Sequence, residues 1–162
     1  MVMEAMTCIL LISPANQATE RTSPCLCTNV MGIHESGPGG REDVRVRLHG
    51  VDWPERRQPF GNRARQFTGD RALGKTVTGW VRGAERYGCL VGEVILPDGR
   101  NLSRELVRAG LACWDGKNPR GDRRLERLER EAKDAKRGSW ADPDPLPPWE
   151  FRKQAHLTAA RY

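Results

Sequence analysis

Arg47-Leu48-His49-Gly50-Val51-Asp52-Trp53-Pro54-Glu55 is the stretch that sets the fold. Its first residues end an alternation, Val44, Val46 and Leu48 against Arg45, Arg47 and His49. That is the period-two pattern of a half-buried strand with a basic second face. Gly50 breaks the pattern and opens a loop over residues 50–59, in which Asp52 and Glu55 flank Pro54. An aspartate ahead of a proline suits a side-chain-capped turn. Working outward, Phe60, Ala64 and Phe67 recur at helical spacing, and Gly74 stops that helix. Residues 75–82 read as a strand with Val77 and Val81 on one face, residues 83–88 as a turn, and residues 89–96 as a further strand closed by Pro97-Asp98-Gly99.

Beyond that turn the text is helical. Asn101 is placed to cap a short helix with Leu102, Leu106 and Val107 on its apolar face, ended by Gly110. Asp122 is placed to cap a longer one that buries Leu125, Leu128, Ala132 and Ala135 and laces its outer face with Glu126–Arg130 and Glu129–Lys133 pairs. After Trp140, four prolines at 143, 145, 147 and 148 mark a tail. The order strand, helix, two strands, two helices makes this an α+β chain.

The chain has 162 residues, 27 basic against 21 acidic, a formal charge of +6. That balance points towards polyanions, nucleic acid first. The charge is unevenly spread. Residues 1–40 hold four charged side chains, Glu4, Glu20, Arg21 and Glu35, net −2, and residues 41–162 carry net +8. Residues 1–40 therefore read as an atypical leader of low order, residues 41–153 as the domain and residues 154–162 as a tail. The leader lacks the basic start and long apolar run of a secretory signal, which leaves the cytoplasm as the default compartment. No apolar run reaches the roughly 18 residues of a membrane span, so no membrane is expected as a partner. The five cysteines form no CxxC pair, and His34, His49 and His156 match no zinc spacing.

The stretch from Arg47 to Glu55 resembles the signature of the thermonuclease (staphylococcal nuclease-like) family, in which an arginine precedes an aspartate that opens D-x-P-E. The family's second signature, D-[K/R]-Y-G-R, is similar to Glu85-Arg86-Tyr87-Gly88-Cys89, and its later helix and closing turn to Glu105-Leu106-Val107-Arg108-Ala109-Gly110 and Arg137-Gly138-Ser139-Trp140. The resemblance implies an OB-type small β-barrel with three helices, and calcium-assisted hydrolysis of DNA or RNA phosphodiester bonds. Carried over, Asp52 is a ligand of Ca2+ and Trp53 lends its backbone carbonyl. Glu55 is the general base, Arg47 is one arm of a phosphate clamp, and Arg86 and Tyr87 contact substrate. Oxygen-rich, flexible coordination is what calcium accepts, and a guanidinium suits a phosphate.

Three departures bear on activity. Cys89 stands where the family has its second clamp arginine, and a neutral thiol cannot replace a planar cation. The family's D-G-D-T block, which supplies a further metal carboxylate, should precede Asp52, yet residues 23–40 contain no aspartate. Glu85 replaces the aspartate that opens the second block. These changes imply weakened cleavage. The alternative is a catalytically silent module that binds nucleic acid through a basic OB surface. Only three barrel strands are legible over residues 44–96, and residues 8–12 form the one strand-like run upstream. An incomplete barrel would leave an open edge through which the chain self-associates.

Overall fold

The structure, a computed structural model, describes residues 5–10, 30–37, 40–84, 89–116 and 122–159. In chain order its elements are β1 (Ala5–Leu10), β2 (Val30–Gly37), β3 (Gly40–Leu48), β4 (Val51–Asp52), α1 (Gly61–Ala72), β5 (Lys75–Ala84), β6 (Leu90–Ile95), α2 (Leu102–Arg108), β7 (Cys113–Trp114), α3 (Arg123–Asp134), a 3-10 turn at Gly138–Ala141, and α4 (Pro148–Ala159). They divide into two compact units: Met1–His49 with Phe67–Leu102, and Gly50–Gln66 with Ser103–Tyr162.

The first unit holds an OB-type barrel. Its strands follow one another in the order β1–β2–β3–β6–β5, and β1 also pairs with β5, so the ring closes. At one seam, among the described residues, Ile9↔His34 joins β1 to β2. The β3–β6 contact is parallel, through Val46↔Leu90, Arg47↔Val91 and Leu48↔Gly92. The alternation around Arg47 sorts as its pattern requires: Val46 and Leu48 are buried, while Arg45 is exposed and Arg47 half-buried. Met31, opposite Val46, and Val77 and Val94 complete the inner layer. The β5–β6 register slips between Val81 and Gly83.

Residues 1–40, read from the sequence as a leader, contribute β1 and β2. Of the strand-like run at 8–12, residues 8–10 lie in β1 and residues 11–12 lie outside the described residues; β2 was not legible. Val30-Met31-Gly32-Ile33-His34-Glu35-Ser36-Gly37 carries two glycines and few β-branched residues. Its extended form is a product of pairing with β3 along its whole length, from Val30↔Arg47 to Gly37↔Gly40, and such tertiary context overrides local propensity.

The second unit carries the α2, α3 and α4 helices and the small β4–β7 ladder. Asp122 caps α3 as its sequence position suggests, accepting from the Arg124 backbone N–H at 2.9 Å. Leu125, Leu128 and Ala132 are buried, whereas Ala135 is the exposed C-terminal cap. Leu106 and Val107 of α2 are wholly buried. Past α2, Gly110 has φ +69, and an added Cβ would lie 2.1 Å from the Arg137 carbonyl oxygen. Ser139 donates to the Gly110 carbonyl from both its N–H and its hydroxyl at 2.9 Å. That close backbone approach is the physical reason for small residues in the Arg137-Gly138-Ser139-Trp140 block.

Two expectations are corrected. The described residues form four α-helices where three were expected, because part of the proline-rich tail is the start of α4. Pro148 occupies its first position, where a missing N–H costs nothing. On α1, Phe67 does not join the inner stripe, which consists of Ala64, Thr68 and Ala72; the Phe67 ring instead lies 3.4 Å under the Arg71 guanidinium.

Candidate active site

Asp52 is held by main-chain pairing. Val51 and Asp52 form β4 opposite Trp114 and Cys113 of β7, and the Asp115 N–H extends the ladder to the Gly50 carbonyl at 3.0 Å. The Trp114 N–H donates to Glu129 Oε1 at 3.0 Å, which ties β7 to α3. Asp52 is consequently only 4% exposed. The same setting acts on Cys113: burial first, then the charges of Glu129 and Asp52, push its thiol up to about 12.

The chain then turns through buried Trp53 and Pro54 to Glu55. Buried Gln58 braces this turn. Its Oε1 accepts from the Glu55 N–H at 3.1 Å, its own N–H donates to the Glu55 carbonyl at 2.9 Å, and its Nε2 donates to the Leu146 carbonyl at 2.6 Å. Gly61 closes the loop. A Cβ there would sit 2.0 Å from the Glu55 carbonyl oxygen, so the backbone of α1 approaches Glu55 more closely than any side chain allows.

The two carboxylates converge on one guanidinium. Arg152 Nη1 donates to Glu55 Oε1 at 2.7 Å and to Asp52 Oδ1 at 3.3 Å, and Nη2 bonds Asp52 Oδ2. Arg152 lies in the first half of α4, whose start is fixed by the Glu150 and Phe151 N–H groups on the Pro147 carbonyl, both at 3.1 Å. Burial works against the Arg152 charge, but the hydrogen bonds to Asp52 and then Glu55 outweigh it and raise its pKa above the ordinary arginine value. The second Glu55 oxygen, Oε2, has no protein partner among the described residues. The site thus offers a positioned carboxylate with one free oxygen, an almost dry second carboxylate and a fixed cation.

Of the residues singled out from the sequence, Asp52, Trp53 and Glu55 belong to the second unit, and Asp52 and Glu55 come together there. Trp53 is 9% exposed. Arg47 and Cys89 belong to the barrel unit. Arg47 sits on β3 between Val30 and Val91. Cys89 immediately precedes β6 and is wholly buried. Arg86 and Tyr87 lie outside the described residues. Arg152 was missed. A proline at a first helical position with Glu150 in the first turn is a helix-start signal that could have revealed α4, though not its partners.

The calcium that the resemblance implies does not fit the residues as arranged. The ion takes about six to eight oxygen ligands, anionic ones foremost. Both carboxylates here are engaged by Arg152, and among the described residues no group of three or more His, Cys, Asp or Glu side chains is placed to hold a metal.

An OB-type barrel and an Asp-Xaa-Pro-Glu loop together point to a thermonuclease-like protein. Residues 45–142 match the family model described as staphylococcal nuclease homologue. Over 112 residues the chain is 41% identical to an "Uncharacterized endonuclease" of Escherichia coli O157:H7, covering 69% of this chain and 72% of that protein. It is 33% identical to a "Micrococcal nuclease" of Shigella flexneri over 124 residues, 70% of each. It is also 33% identical to "Protein ParB" of Escherichia coli over 125 residues, 72% of this chain and 71% of that protein. The chain belongs to the staphylococcal nuclease homologue family.

Proposed function

We propose that this chain hydrolyses phosphodiester bonds of DNA or RNA at the Asp52–Glu55 loop. The observation that carries the reading is the Glu55 carboxylate, held at Oε1 by Arg152 with Oε2 left to take a proton. In this reading a water attacks phosphorus, its proton passes to Glu55 Oε2, one P–O ester bond breaks, and the leaving oxygen is protonated from solvent. Arg47 is proposed on the resemblance alone as a phosphate-binding cation, a guanidinium offering paired donors. Arg86 and Tyr87 are proposed as substrate contacts on the resemblance alone. The net +8 of residues 41–162 draws the polyanion in.

One observation favours a second reading. Cys89, at the family's second clamp arginine, is neutral and wholly buried, so this copy lacks that arm. A module that binds nucleic acid without cutting it would result if one arm were insufficient, since losing such an arginine costs on the order of 10³ to 10⁵ in rate. Incubating the protein with single-stranded DNA and RNA, in calcium and in chelator, separates the readings. Cleavage in either condition supports the nuclease. Binding at low salt with no cleavage in both supports the silent module. Absence of binding contradicts both.

A further inference from the structure

We propose that Arg152 is a built-in cation: its guanidinium takes the place at the Asp52–Glu55 pair that a divalent ion would take, and the ion and Arg152 exclude each other. The inference rests on the geometry of the second unit and not on the nuclease reading.

Three observations carry it. First, one guanidinium serves both carboxylates, with Nη1 shared between Glu55 Oε1 at 2.7 Å and Asp52 Oδ1 at 3.3 Å and Nη2 on Asp52 Oδ2, so the oxygens facing a central cation are already in use. Second, Asp52 is nearly out of water, where a carboxylate requires a permanent counter-charge. With Arg152 seated, a doubly charged ion at the same pair would meet a like charge at contact distance in a poorly screened site. Third, the counter-charge is tethered in a way that allows withdrawal. Gln58 binds the segment ahead of α4 to the Glu55 turn. Beyond Arg152, however, Lys153, Gln154, Ala155, His156 and Leu157 are all exposed. From half-buried Arg152 onward α4 can therefore lift without uncovering a core, and the Arg152 bonds to Asp52 and Glu55 are what such a movement breaks.

Calcium titration by calorimetry, without nucleic acid, tests this on the full chain. The native protein should show no saturable calcium binding below about 1 mM, weaker than the roughly 0.1–1 mM of the loosest natural calcium modules. Arg152→Gln should bind calcium at least about tenfold more tightly, and adding Asp52→Asn should cancel the gain. Arg152→Lys, which keeps the charge, should behave as native. Native binding in the micromolar range that Asp52→Asn abolishes would overturn the proposal, as would a folded Arg152→Gln that binds no better. Should Arg152→Gln fail to fold, hydrogen exchange of the native α4 amides decides. Exchange that accelerates as high calcium saturates the site supports mutual exclusion, and calcium bound with α4 protection unchanged overturns it. A silent nuclease assay leaves all of these readings intact.

Discussion

Removing the Arg152 guanidinium leaves Asp52 and Glu55 facing each other with side-chain exposures of only 6% and 16%. Breaking a fully buried pair costs about 3–5 kcal/mol; with Arg152 itself 28% exposed, Arg152→Ala is expected to cost about 2–4 kcal/mol, visible as a lower thermal midpoint. A cost within experimental error would mean the bridge contributes nothing to the fold. Cys89 reverses an intuition drawn from sequence. Restoring the family arginine there looks like a repair, but the thiol is 0% exposed, and an unpaired cation in its place is expected to destabilise the protein by about 3 kcal/mol or more. A Cys89→Arg protein as stable as native would contradict that burial. Asp52 and Glu55 were legible because they stand in one short loop with a proline between them. Arg152 was not, because its partners lie nearly a hundred residues away and nothing local to α4 announces them.

At the scale of elements, the Glu55 turn depends on the start of α1. Gly61→Ala forces a methyl against the Glu55 carbonyl, so it is expected to cost about 1–3 kcal/mol and to lower cleavage further by displacing Glu55; denaturant midpoints and turnover of the folded variant measure the two effects. The N-terminus of α3 gives a pH dependence. Burial opposes the Asp122 charge, but hydrogen bonds from the Arg124 backbone and Arg104 side chain outweigh it and hold the carboxyl below its ordinary pKa. A depressed carboxylate stabilises the folded state fully above the unfolded pKa of about 3.9, and that stability is lost as pH falls through the lower folded value. Asp122→Ala should therefore cost about 1 kcal/mol at neutral pH and progressively less under acid, and a cost that grows on acidification would contradict the assignment. The α3 cap was readable because Asp122 precedes a strongly amphipathic run. Helix α4 was not, since its apolar residues Trp149, Phe151, Ala155 and Leu157 recur as much at two-residue as at helical spacing and the prolines ahead of it resemble a tail.

For the molecule as a whole, barrel closure and charge are the governing quantities. Deleting residues 1–40 removes β1 and β2 and bares the edges of β3 and β5. Exposed edges pair with other chains, so the truncated protein is expected to self-associate in size-exclusion chromatography, and a stable monomer would show that the three remaining strands suffice. The sequence reads residues 1–40 as an atypical leader of low order, whereas β1 and β2 lie within them. Composition marks a change in text at residue 40, but pairing across the ring is a long-range property that composition does not encode. The net positive charge, by contrast, is plain from counting, and nucleic-acid binding should persist in chelator while weakening steeply with salt. The measurement that bears most directly on the central claim is single-turnover cleavage of single-stranded DNA by native protein and Glu55→Gln side by side. The substituted amide keeps an acceptor for Arg152 but is no base, so cleavage should fall by at least about 100-fold while folding and DNA affinity are retained. Cleavage that is indifferent to Glu55→Gln would place the chemistry elsewhere and contradict the account.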